Sequence, residues 1–154
     1  MQVTQFTDYS IRTVVYLCLQ PERRATVDEI AAQLRVSASH LTKVVHRLGR
    51  IGVIETLRGR YGGLRLNRPP AEISIGWLFR QTEDNLALAD CFRTGGCDCP
   101  LAGNCRMTGL LREALQAFIA VLDRYSLADL AADPATLHQL LGKPPALPAC
   151  NAAQ

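Results

Sequence analysis

Nowhere does the sequence hold an apolar run near the roughly 20 residues that a membrane-spanning helix requires, so an integral membrane protein is not expected. The opening Met1-Gln2-Val3-Thr4-Gln5-Phe6-Thr7-Asp8 lacks the basic start and apolar core of a secretory leader, and the expected location is cytoplasmic. Histidine is scarce: His40 and His46 share one helical stretch and His138 stands by itself near the end. With no glycine-rich nucleotide loop and no convincing acid/base pair or nucleophilic triad, an enzyme is not expected. Internal repeats and low-complexity tracts are also missing, and the 154 residues are about the size of one domain.

Acidic residues are thin in the first half. Residues 1–70 carry 11 Lys/Arg against 5 Asp/Glu, a balance of +6, while residues 71–154 carry 6 against 9, or −3. The first half therefore presents a basic face. Within it, residues 8–20 place Ile11, Val14, Val15 and Cys18 at helical spacing, with Thr7 or Asp8 as the expected cap. Thr26-Val27-Asp28-Glu29 has the form of a capping box and predicts a second helix from about Val27 to Leu34.

After a tight turn, Leu41, Val44, Val45 and Leu48 make the apolar face of a third helix. The opposite face offers Ser37, Ser39, His40, Lys43, His46, Arg47 and Arg50, with no acid among them. A helix–turn–helix inserts such a helix into the major groove, where these side chains suit phosphates and base edges. Residues 53–66 form two apolar-alternating stretches around glycines, predicting a hairpin wing that brings Arg58, Arg60 and Arg65 to the same half. The expected class is thus mainly α, a winged helix-turn-helix with a two-stranded wing over residues 1–70, and the expected partner is double-stranded DNA.

Pro69-Pro70 closes that unit, and a connecting helix through Trp77, Leu78 and Phe79 is expected within 71–90. From Arg106 onward, Leu111, Leu115, Phe118, Leu122 and Tyr125 recur at intervals of 4, 3, 4 and 3, an a/d stripe two heptads long. Residues 106–130 are expected to form a long homodimerisation helix, because one winged helix reads one half-site and a pseudo-palindromic operator needs two. Ser126-Leu127-Ala128-Asp129-Leu130 starts another brief helix, and the proline-containing 131–154 is expected to be a partly flexible tail.

Four of the six cysteines, Cys91, Cys97, Cys99 and Cys105, fall in the glycine-rich segment 91–105. A reducing compartment argues against a disulfide framework. Four thiolates can hold zinc, although Cys97-x-Cys99 is tighter than the usual knuckle. Unligated or redox-active thiols are a second reading, and an iron–sulfur cluster, open to small gases on such a loop, is a third. Cys18, on an apolar helix face, reads as packing, and Cys150 in the tail as incidental.

A winged helix, a cysteine-rich loop and a dimerisation helix in this order resemble the Rrf-type iron–sulfur transcription regulators, over residues 1 to about 130. Gln5-Phe6-Thr7-Asp8-Tyr9, Arg60-Tyr61-Gly62-Gly63-Leu64 and Cys99-Pro100-Leu101-Ala102-Gly103-Asn104-Cys105 are most similar to the nitric-oxide-sensing repressors of that family. The resemblance implies a [4Fe-4S] cluster, or alternatively a [2Fe-2S] cluster, on Cys91, Cys99, Cys105 and an Asp8 reaching from the partner subunit. It implies a homodimer on palindromic operator DNA, with nitric oxide as the signal. The fourth loop cysteine departs from the family's three, which makes Cys97 an alternative ligand to Cys99; the x₅ interval to Cys105 matches the family from Cys99. A family member responding to iron–sulfur supply or redox state is the alternative function.

Overall fold

The computed structural model describes residues 2–57, 59, 62–92, 98–101 and 104–141. Helix α1 spans Gln5–Cys18 and starts earlier than its apolar spacing indicates, because Thr4 caps it in place of Thr7 or Asp8. The Thr7 amide donates to Thr4 Oγ1 at 3.3 Å, and Thr7 itself is buried. Helix α2 spans Val27–Leu34, capped by Thr26, whose Oγ1 accepts from the Glu29 amide at 3.2 Å. The Glu29 carboxylate does not complete a capping box; it accepts from Arg23 Nη2 at 3.0 Å and from the Tyr16 hydroxyl at 2.9 Å.

Arg35, left-handed at φ 54°, ends α2 and turns the chain into α3, Ala38–Arg50. Leu41, Val44 and Leu48 of α3 are fully buried and Val45 nearly so, as the 3.6-residue period requires of a core-facing stripe. Strands β1, Ile54–Leu57, and β2, Gly63–Leu66, pair antiparallel with Ile54 opposite Leu66 and Glu55 opposite Arg65. Leu64 is tied to Ala25 by two backbone hydrogen bonds of 2.8 and 3.1 Å, which anchors the wing to the α1–α2 connection. Gly63 allows this approach: at φ 149° it takes a conformation that L side chains avoid, and a Cβ there would lie 2.9 Å from Arg24 Cβ.

Helix α4, Ile75–Thr82, is capped by Ser74 and buries Ile75, Leu78 and Phe79. Helix α5, Arg106–Asp123, crosses α4 closely at Gly76, where a Cβ would fall 2.2 Å from Asp123 Oδ1. Arg80 forks onto the Asp123 carboxylate at 2.8 and 2.9 Å, and the Phe79 and Phe118 rings meet edge to face at 5.4 Å.

The chain then turns back. Helix α6, Leu127–Leu130, opens with a true capping box between Ser126 and Asp129 and puts Leu127 into the core. Residues 106–130 are therefore two elements, a long helix packed on α4 and a short one that closes on the winged-helix body. Within the span expected as tail, Pro134–Leu141 form helix α7, and residues 142–154 lie outside the described residues. No described helix is long and apolar enough to cross a membrane.

Candidate functional site

Burial of the Leu41–Leu48 stripe dictates which face of α3 meets solvent. Ser37, Ser39, His40, Lys43, His46 and Arg50 are all exposed, on the face that the sequence pattern assigned to DNA. Ser37 holds the N-cap position without making a side-chain cap bond. His40, Lys43 and Val44 also line an open groove of about 180 Å³, whose other wall is Gln5, Phe6 and Tyr9 of α1. The contribution of α1 to this surface is not legible in periodicity, since it arises from the crossing of two helices, although Gln5, Phe6 and Tyr9 fall in the stretch that carries the family resemblance.

Arg47 departs from the rest of its set. It is half-buried, and its Nε donates to the Gln81 carbonyl at 2.8 Å, at the end of α4. On the wing, Arg65 is exposed and pairs with Glu55 directly across the strands. Arg58 and Arg60 lie outside the described residues.

Two of the cysteines converge on the first turn of α5. Cys105 is the N-cap residue, and Cys91 Sγ lies 3.6 Å from the Thr108 hydroxyl. The Thr108 backbone amide, its hydroxyl and the Met107 amide favour the Cys105 thiolate and hold its pKa below the ordinary value. Thr108 was not among the expected site residues; its signal was the N-cap-x-x-N3 interval from Cys105.

Cys99 is exposed, and Cys97 lies outside the described residues. Cys18 packs against the core, and burial raises its thiol pKa, as expected for a packing residue. Asp8 is partly exposed on α1 and is gripped by Arg12 one turn on, with Nε–Oδ1 and Nη2–Oδ2 both at 2.9 Å. Within one chain, the structure thus joins Cys91 to Cys105 through Thr108 and gives Asp8 to Arg12.

The stripe on α5 is divided. Phe118 packs on Phe79 and Leu122 against the core, while Leu111 and Leu115 are half-exposed and Tyr125 is exposed. The most exposed large apolar side chains of the helix, Met107, Leu110 and Val121, lie on an adjacent face with Ala114 and Ala117 between them at intervals of 3 and 4. No residue of α5 is buried in the single chain.

The model of the Rrf2 family, described as an iron-dependent transcriptional regulator, matches residues 3–133. The chain is 48% identical over 142 residues to the HTH-type transcriptional regulator NsrR of Geobacillus kaustophilus (strain HTA426), covering 92% of this chain and 97% of the relative. It is 47% identical over 142 residues to the regulator of the same name from Shouchella clausii (strain KSM-K16), covering 92% and 95%. Among solved structures, T. potens IscR superposes with a TM-score of 0.71 at 21% identity, over 89% of this chain and 90% of that one, a likeness of fold.

Proposed function

The chain belongs to the Rrf2 family of transcriptional regulators and is not an enzyme, and from that premise we propose that it is a cytoplasmic, homodimeric repressor whose [4Fe-4S] cluster senses nitric oxide. Support comes first from the thiol arrangement: Cys91 Sγ lies beside the Thr108 hydroxyl at the helix N-terminus that favours the Cys105 thiolate, and thiolate is the form a metal takes. Such soft donors fit iron–sulfur chemistry. Cys91, Cys99 and Cys105 would hold the cluster, with Asp8 of the partner subunit as the fourth ligand and Cys97 as the alternative middle thiolate. When bound, the cluster supplies an iron that nitric oxide attacks, most readily where the ligand is an oxygen.

The residues of the chain do the rest. To serve as a ligand Asp8 would give up pairing with Arg12, and α1, which carries both residues, shares a groove with the exposed face of α3. A pull on Asp8 is therefore a pull on the helix beside His40 and Lys43. The exposed side of α5, led by Met107, Leu110 and Val121, is the surface on which two copies would join. A hundredfold loss of DNA affinity would require about 2.7 kcal/mol of coupling, within the ordinary allosteric range.

The test is anaerobic purification, then titration with nitric oxide while visible absorption and binding to a palindromic operator library are followed together. A broad iron–sulfur absorption that collapses as DNA is released is the expected result. A colourless zinc protein, or a coloured one that keeps its DNA in nitric oxide, defeats the proposal; the second outcome would make the chain a regulator of iron–sulfur supply or redox state.

A further inference from the structure

The last turn of α4 is where three parts of the chain are fastened together. A helix of eight residues leaves its final carbonyls without intrahelical partners. Gln81 O is one of these, and Arg47 Nε fills it at 2.8 Å, a cation placed at a helix C-terminus. Two residues on, the buried carboxylate of Glu83 accepts from the Thr4 amide at 3.1 Å and from the Thr4 hydroxyl at 3.0 Å. Thr4 is the N-cap of α1, so Glu83 puts an anion at a helix N-terminus. Arg47 lies on α3, and the chain runs from Glu83 directly into the segment that carries Cys91.

We propose that Arg47 and Glu83 are positioning residues that set the recognition helix and α1 against the end of α4, and that Arg47 is not one of the cations that contact DNA phosphates. The proposal rests on the DNA-binding reading above. Its geometry is specific: the bond to Gln81 is made from Nε, partway along the side chain, where lysine has a methylene group. Arg47→Lys thus keeps the charge and removes the donor. The same junction links the cysteine segment to both helices inside one protomer.

The test uses the full chain and the operator selected above, with binding measured across a salt series for Arg47→Lys, Arg47→Gln and Lys43→Gln. A lost phosphate contact lowers the slope of log K against log salt by about 0.9; that is expected for Lys43→Gln. For both Arg47 variants, operator affinity should fall about tenfold, the worth of one charge-assisted hydrogen bond, with the slope and non-specific DNA affinity unchanged. Glu83→Ala should follow the same pattern.

An Arg47→Lys variant that binds like wild type, beside an Arg47→Gln variant with a slope lower by about 0.9, would make Arg47 a phosphate contact and overturn the proposal. If Arg47→Gln does not fold by circular dichroism, the lysine variant decides the matter, since retained charge rescues a phosphate contact and not a lost Nε donor. A wild-type chain that binds no DNA would instead remove the underlying function.

Discussion

Helices α3 and α5 are both amphipathic, yet they dispose of their apolar faces differently. Over its 13 residues, α3 buries four large aliphatic side chains inside its own chain. Over 18 residues, α5 buries none; it touches the body at Phe79, Arg80 and Gly76, while Met107, Leu110 and Val121 remain exposed. Helices in proteins take most of their stability from the packing of one face. The contrast shows that an apolar stripe announces that something covers it without naming what, and in the proposed dimer the cover for α5 is a second copy.

The largest effect should separate the two helices outright. Leu48→Ala empties a site with 0% exposure and should cost about 3 kcal/mol in urea unfolding, whereas Leu110→Ala on α5 should cost the isolated protomer less than about 0.5 kcal/mol. Equal costs would erase the comparison. A charge sharpens it next: Leu110→Asp should weaken self-association at least tenfold, about 1.4 kcal/mol, read by sedimentation velocity, with the winged-helix circular dichroism spectrum intact.

Glycine gives a smaller and two-signed contrast. At the base of the wing, Gly63→Ala meets Arg24 and a left-handed φ together and should destabilise by about 1–2 kcal/mol. At Gly109, the fourth residue of α5, a Cβ would meet nothing within 4 Å in the single chain, and Gly109→Ala should stabilise by about 0.5–1 kcal/mol in thermal melts. A loss of dimer affinity in Gly109→Ala would instead place that side of the helix against the partner.

The smallest effect concerns pH at the α4–α5 junction. The Arg80 guanidinium, aided by Ser74, holds the Asp123 carboxyl below its ordinary pKa. Its contribution is therefore present above the unfolded carboxylate pKa and fades as pH falls through the lowered folded value. Both partners are exposed, so the contribution is small and screened by salt. Asp123→Asn should cost slightly at neutral pH and nothing in strong acid, measured as unfolding midpoints at the two pH values.

By itself the sequence determined much that depends on near neighbours, though not the Thr4 cap of α1 or the partners of the Glu29 carboxylate. The period of Leu41, Val44, Val45 and Leu48 specified the buried and free faces of α3; Thr26 and Cys105 lie where helices α2 and α5 begin; alternation around glycines marked the wing. Capping, periodicity and turn chemistry act over a few residues, so they can be read in order along the chain. Tertiary structure decided the contacts that span the chain: Thr4 to Glu83, Arg47 to Gln81, Phe79 to Phe118, and Leu127 returning to the core. It also decided that Cys91 meets Thr108 and that Arg47 turns inward from a face of otherwise exposed polar residues. No local pattern carries such information, because a carbonyl at the end of α4 becomes a partner for Arg47 only after the core has brought α3 and α4 together.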